Sequence, residues 1–302
     1  MTPEPRWDQG VRILATGRDL VTRADGSAAT VGEARIEVRV DGTATVTEAL
    51  LPRTPHLAPR LVGVRAASGF RSGTVAPLVA EGGLTSLEAA LLDDVPVTRL
   101  ISGYAMLRAV QAGRLPAPTR PKGRSAAPPL NVCVGWAPGA TADTRARAGE
   151  IVLGPPVPAP GPGAPVAGVQ DWHDEPPGSE DTMYRRRLLD LRPEDTGTAI
   201  ECYLRDSWVD ALGQESALHE YTVEGRAEGA PAVLAALDSR PHTLPFPECP
   251  LAARSADSLV GTPLAALDRR VRELVGGPQG CTHLADTLRS MRFTEELLGH
   301  LG

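Results

Sequence analysis

The chain has a single lysine, Lys122, among 31 basic residues, only 11 aromatic side chains (four Trp, four Tyr, three Phe) and four cysteines in 302 residues. Acidic residues outnumber basic ones, 37 to 31, for a net charge of −6. Such a chain has no basic face to attract phosphates, so nucleic acid is not an expected partner. No apolar run suits a membrane helix. The longest uncharged stretch, Ile151 to Gln170, carries six prolines, and proline breaks a helix interior. The opening Met1-Thr2-Pro3-Glu4-Pro5 lacks the basic-then-apolar pattern of a secretory leader. A cytoplasmic location is therefore expected, and Cys133, Cys202, Cys249 and Cys281 read as free thiols rather than a disulfide framework.

What the chain has in excess is proline, 29 residues, about twice the usual share of roughly 5%. Fourteen of them fall within residues 114–180, including the run from Gly154 to Gly163. That composition builds neither a helix nor a central strand, so 114–180 is expected to be a Pro-rich linker, extended over Ile151–Ser179. The patch Leu130 to Trp136 is apolar enough to pack on a domain. The flanking segments, 1–113 and 181–302, are then the two domains.

These flanks repeat each other. Residues 18–42 align without gaps on 205–229 at an offset of 187, with eight identities in 25, among them Asp19/Asp206, Gly26/Gly213 and Glu33/Glu220. Leu61-Val62-Gly63 then meets Leu259-Val260-Gly261, and Gly83 to Leu87 meets Gly280 to Leu284. Alternation predicts strands over Val11–Val21, Ala34–Val40 and Thr43–Ala49 in the first copy. In the second it predicts Tyr184–Leu191, Thr198–Leu204, Leu218–Arg226 and Ala232–Asp238. Leu264, Leu267, Val271 and Leu274 predict a helix ended at Gly276-Gly277, and Leu284, Leu288 and Met291 predict the last one. The expected fold is α+β: two pseudo-repeated halves, each of antiparallel strands followed by helices.

The copies differ in chemistry. His219 faces Gly32, Cys281 faces Leu84 and His283 faces Ser86, while Cys249 lies in a stretch the first copy shortens. A single site carried by the second copy is expected, and three readings of it stand side by side. Cys249, Cys281, His219 and His283, with Asp206 or Glu220, could bind a metal, and the ligand types suit zinc. Cys281 could be a thiolate nucleophile at a helix N-terminus, with His283 or His219 as base. Or these side chains could be structural, since cysteine is commonly buried without chemistry. The geometry turns on the helix start. With Thr282 as N-cap, Cys281 is free to turn toward His283; inside the helix the two point about 200° apart. On the strand before Asp206, alternation puts Arg185 and Arg187 on one face, suited to hold an acidic group, and Arg186 on the other. Arg205-Asp206 and Arg18-Asp19, present in both copies, read as structural ion pairs. No phosphate loop or dinucleotide fingerprint is present.

Arg185-Arg186-Arg187, Arg205-Asp206-Ser207, His219 to Thr222, Glu248-Cys249-Pro250, Leu259 to Gly261 and Gly280 to Arg289 together resemble the bacterial family known as domain of unknown function 2889. The resemblance spans about residues 183–292. It extends to the first half through Leu92 to Pro96, Ser102 to Tyr104 and Cys133 to Trp136, and departs from the family pattern at Ala285, where many members have Asn. It implies no reaction. It implies that the Arg, His and Cys motifs are shared family features. The expectation is an enzyme on a small organic substrate, acidic or acyl, using the Cys/His site; the alternative is a non-catalytic small-molecule or partner binder.

Overall fold

The computed structural model describes residues 10–116, 131–159, 175 and 177–300. The chain falls into two compact units, residues 1–118 with 299–302 and residues 119–298. Both are mixed, with antiparallel sheets covered by helices. Among the described residues no helix is long and apolar enough to cross a membrane.

In the first unit β1 (Val11–Thr22), β2 (Ala28–Val40) and β3 (Val46–Leu50) form an antiparallel meander. Period-two alternation buries Ile13, Ile36, Val38, Val40 and Val46 on one face and leaves Leu14 and Leu50 exposed on the other. The short α1 (Ala76–Ala80) and the long α2 (Ser86–Gln111) follow. α2 starts at a capping box in which Thr85 and Glu88 satisfy each other's backbone N–H groups. β2 begins earlier than the alternation predicts, because pairing continues to Thr22–Ala28, just outside the tight turn at Gly26.

In the second unit, after α3 (Thr141–Arg147) and β4 (Val157–Pro158), four strands run antiparallel in sequence: β5 (Met183–Glu194), β6 (Gly197–Val209), β7 (Glu215–Glu228) and β8 (Val233–Thr243). A 3-10 segment from Cys249 to Leu259, then α4 (Leu267–Leu274), α5 (Thr282–Ser290) and α6 (Thr294–Leu298), complete it. One sheet face, with Ile200, Cys202, Tyr221 and Val223, packs on Ala252, Leu259, Leu267, Val271, Leu284 and Leu288. Each fully buried leucine there contributes about 1.5–3 kcal/mol. The helical periodicity read from Leu264 to Met291 corresponds to this buried stripe.

The two hairpins share their register. Val11 pairs with Val40 and Thr198 with Ala227, the same pair at an offset of 187. Both ladders slip by one residue at the same place, after Asp19 and after Asp206. Farther on, Gly63 N–H bonds Val46 O and Gly261 N–H bonds Leu234 O, each 2.8 Å. The second unit adds β5 on the outer side of its hairpin.

Within the proline-rich stretch, the described residues 131–159 pack on the second unit, as the apolar patch at Leu130 to Trp136 led us to expect. Val157 and Pro158 pair with Ala217 and Ser216 of β7, an edge position that proline tolerates. Val134 N–H bonds Gly280 O at 2.9 Å. Proline forbids long regular elements but not short packed ones. Trp172 and His173, within the proline-rich stretch, lie outside the described residues.

Gly280, the residue before Cys281, sits in extended backbone open to any residue (φ −112°, ψ −173°), but an added Cβ would stand 1.7 Å from Val275 O. Gly280→Ala is expected to cost about 3 kcal/mol in urea unfolding. Gly73→Ala, with nothing within 4 Å of the new Cβ, should change stability by less than about 0.5 kcal/mol.

Candidate functional site

The face of the second sheet that meets the helices changes character along its length. Across β5, β6 and β7 its rungs run Leu189–Cys202–Val223, then Arg187–Leu204–Tyr221, then Arg185–Asp206–His219. It is apolar at one end and ionic at the other. α5 lies over this gradient with a matching face. His283, Asp286, Thr287 and Ser290, at helical spacing, are all buried. Ser290 donates to Cys202 Sγ at the apolar end (3.6 Å). At the ionic end Asp286 meets Arg185 and His283 meets Asp206.

Asp206 is fully buried. The Arg185 guanidinium donates to both its carboxylate oxygens through one nitrogen, at 3.2 and 3.1 Å, and to Asp286 Oδ2 through another at 3.0 Å. Arg289 reaches the other Asp286 oxygen at 3.1 Å, and Arg187 donates to the Asp286 backbone carbonyl at 3.0 Å. Arg185 and Arg187 thus share a face, and the acidic groups Arg185 holds are the protein's own. Arg186, on the opposite face, is bonded to Glu175, Glu215 and Ser207. Arg205 and Asp206, expected as an ion pair, lie on opposite faces of β6. Neighbours on a strand point to opposite faces, and Arg205 pairs with Glu220 at 2.6 Å.

His283 Nε2 lies 3.3 Å and His219 Nδ1 3.8 Å from the same oxygen, Asp206 Oδ2. The two rings stack, centroids 3.5 Å apart and planes 12° apart. Among the described residues, ligand atoms of Asp206, His219 and His283 lie within 4.8 Å of one another. Neither facing nitrogen makes a hydrogen bond. Burial and the Arg185 guanidinium push His219 down to about 3, and burial, His219 and Arg185 hold His283 well below its ordinary value. Both imidazoles are therefore neutral at neutral pH, the state in which they ligate metals.

Cys281 is the N-cap of α5, in extended backbone, and Thr282 is the first helical residue. Being outside the helix, Cys281 turns back so that its Sγ lies 3.8 Å from His283 Nδ1. Burial pushes this thiol up to about 11, against the N–H groups of Leu284 and His283 and the Tyr221 hydroxyl, which favour the thiolate. Cys249, at the start of its 3-10 segment, is pushed up to about 12 by burial first and then by its neighbours Cys281 and Cys133. Of the four expected metal ligands, His219 and His283 join one group, Cys281 touches it through His283, and Cys249 is not in it. Asp286 and Tyr221 escaped the sequence reading. Asp286 was legible as the residue one helical turn after His283, and Tyr221 as the strand residue two after His219.

Residues 183–295 match the family model described as protein of unknown function DUF2889. The matched segment contains every residue of this site except the neighbouring Cys133. No curated protein and no solved structure matches the chain.

Two outcomes follow for the ionic junction and the thiols. Arg185→Met strands two buried carboxylates and should cost about 3–5 kcal/mol in denaturant unfolding; a loss under about 1 kcal/mol would show the junction to be dispensable. Cys202, Cys249 and Cys281, buried and held as thiols, should react with a disulfide reagent at neutral pH at least about a hundredfold more slowly in the native protein than in denaturant.

Proposed function

We propose that the second unit holds a divalent transition metal on Asp206, His219 and His283 and acts as an enzyme on a small organic substrate, acidic or acyl. The observation that carries this is a pair of imidazole nitrogens, each buried and without a hydrogen bond, beside one carboxylate oxygen. Buried polar atoms without partners are rare and call for an explanation such as an ion. The His283 nitrogen, although 3.3 Å from Asp206 Oδ2, makes no hydrogen bond to it. Two nitrogens and a carboxylate oxygen suit zinc or another borderline ion.

Parallel rings cannot both aim in-plane lone pairs at one ion. The more exposed ligand, His219, with 19% of its side chain accessible against 11% for His283, is the one that turns out of the stack on binding. Arg185 fixes the carboxylate, and Asp286 fixes Arg185, so the ligand set is supported from behind. When bound, the ion supplies Lewis acidity toward a carbonyl or carboxylate oxygen. A thiolate role for Cys281 has less support, because burial keeps the sulfur protonated. The non-catalytic reading is favoured by one observation: Arg185, expected to anchor a substrate acid, is engaged with Asp206 and Asp286.

We further propose that the chain is an internal duplication whose first copy is degenerate. The shared hairpin register and the bulge after Asp19 and Asp206 support it. Asp19 pairs across the ladder with Gly32, where the second copy pairs Asp206 with His219.

Protein purified without chelators should carry about one equivalent of a divalent transition metal per chain, and Asp206→Asn and His283→Ala should each reduce it below about a tenth. Wild-type protein with under about a tenth of an equivalent, unable to take up added zinc, would end the metal reading.

A further inference from the structure

Resting on that reading of the site, we propose that Cys281 is a positioning residue: its sulfur accepts the Nδ1 proton of His283 and thereby fixes the tautomer that turns the Nε2 lone pair toward the cation site. The two ring nitrogens face different surroundings. Nδ1 lies 3.8 Å from Cys281 Sγ and 3.4 Å from Thr282 Oγ1, both able to accept a proton. Nε2 lies 3.3 Å from Asp206 Oδ2 but makes no hydrogen bond, and the Arg185 guanidinium holds that carboxylate.

A neutral imidazole carries one proton, and there are two places for it. On Nε2 it would face Asp206 Oδ2 at 3.3 Å in a geometry that makes no hydrogen bond, and the contact at Nδ1 would rest on a thiol S–H, a weak donor. On Nδ1 the stronger N–H donor is satisfied, and the unbonded position left at Nε2 is a lone pair. The second arrangement wins because an N–H is the costlier group to strand. The surroundings of the sulfur agree. The backbone N–H groups of His283 and Leu284, which can only donate, face it from the helix start, and the fully buried Tyr221 hydroxyl lies beside it. The sulfur sits where acceptors sit.

Metal-bound histidines characteristically donate their other N–H to a carboxylate or carbonyl, and loss of that partner costs about 10–100-fold in affinity. Here a thiol takes that place. The assignment also explains why a cysteine at a helix start, next to a histidine, is neither a nucleophile nor a ligand.

The test is long-range proton–nitrogen correlation NMR on metal-free, 15N-labelled protein, with His283 identified among the six histidines by its loss in His283→Asn. The expected result is the Nδ1–H tautomer for His283 in wild type and in Cys281→Ser, and a shift toward Nε2–H in Cys281→Ala. Cys281→Ala should also bind zinc about tenfold or more weakly than wild type, with Cys281→Ser within about threefold. An Nε2–H tautomer in wild type overturns the proposal, and so does an unchanged tautomer in Cys281→Ala. Because the tautomer is read without metal, the two claims fail separately. Nδ1–H in a protein that binds no zinc would remove the metal reading and leave the tautomer assignment standing. If Cys281→Ala does not fold, the wild-type spectrum still decides.

Discussion

The second unit depends on a charge that cannot be left alone. Asp206 is fully buried at the ionic end of a sheet face whose other end is apolar. An isolated carboxylate in that position is prohibitively costly. Arg185, directly across the ladder, compensates it, and Arg185 in turn is shared with Asp286 on α5. This junction does two things at once. It fixes the register of helix on sheet, because α5 cannot slide without separating Asp286 from Arg185. It also clamps the carboxylate that two imidazoles then share. Replacing such a network with hydrophobic residues is often neutral or stabilising. Its presence here is therefore better explained by what the carboxylate faces than by the stability it adds.

The first unit shows the same frame without the chemistry. Asp19 stands opposite Gly32, where an added Cβ would come within 2.8 Å of an Asp19 carboxylate oxygen. The residue aligned with His283 is Ser86, the first of α2, and the residue aligned with Cys281 is the buried Leu84. Under the proposed duplication, the bulge that places the aspartate is common to both copies, and the imidazoles and thiol belong to one. A β-bulge re-aims side chains locally, so a shared bulge makes a scaffold on which a site can be gained or lost by a few substitutions.

Much of the fold was legible in the sequence, because its signals are local. Alternation marked β1, β3 and β5 to β8 to within a few residues, and the spacing of Leu264, Leu267, Val271 and Leu274 marked the buried stripe of the following helix. The proline-rich stretch left its short elements unread for a physical reason: proline reports which regular structures are forbidden, not whether a segment packs, and α3, β4 and the turn at Val134 are too short to leave a periodic trace. Within the site, His219, His283 and Cys281 were visible because they differ from the residues aligned with them in the proposed first copy, Gly32, Ser86 and Leu84. Asp206 was harder to rank. It aligns with another aspartate, Asp19, and its sequence neighbour Arg205 suggested a partner that points to the opposite face of the strand. Its true partner, Arg185, is 21 residues away and appears only when the β5–β6 register is known.

The central claim is that three donors from two strands and a helix surround one ion. Anomalous diffraction at the absorption edge of the metal carried by the crystallised protein tests it directly. The account predicts a single peak within about 2.0–2.2 Å of Asp206, His219 and His283 ligand atoms, with the His219 ring turned out of its stack on His283. A peak held by Cys249 and Cys281 instead, or an intact imidazole stack without a peak in crystals soaked with zinc, would contradict it.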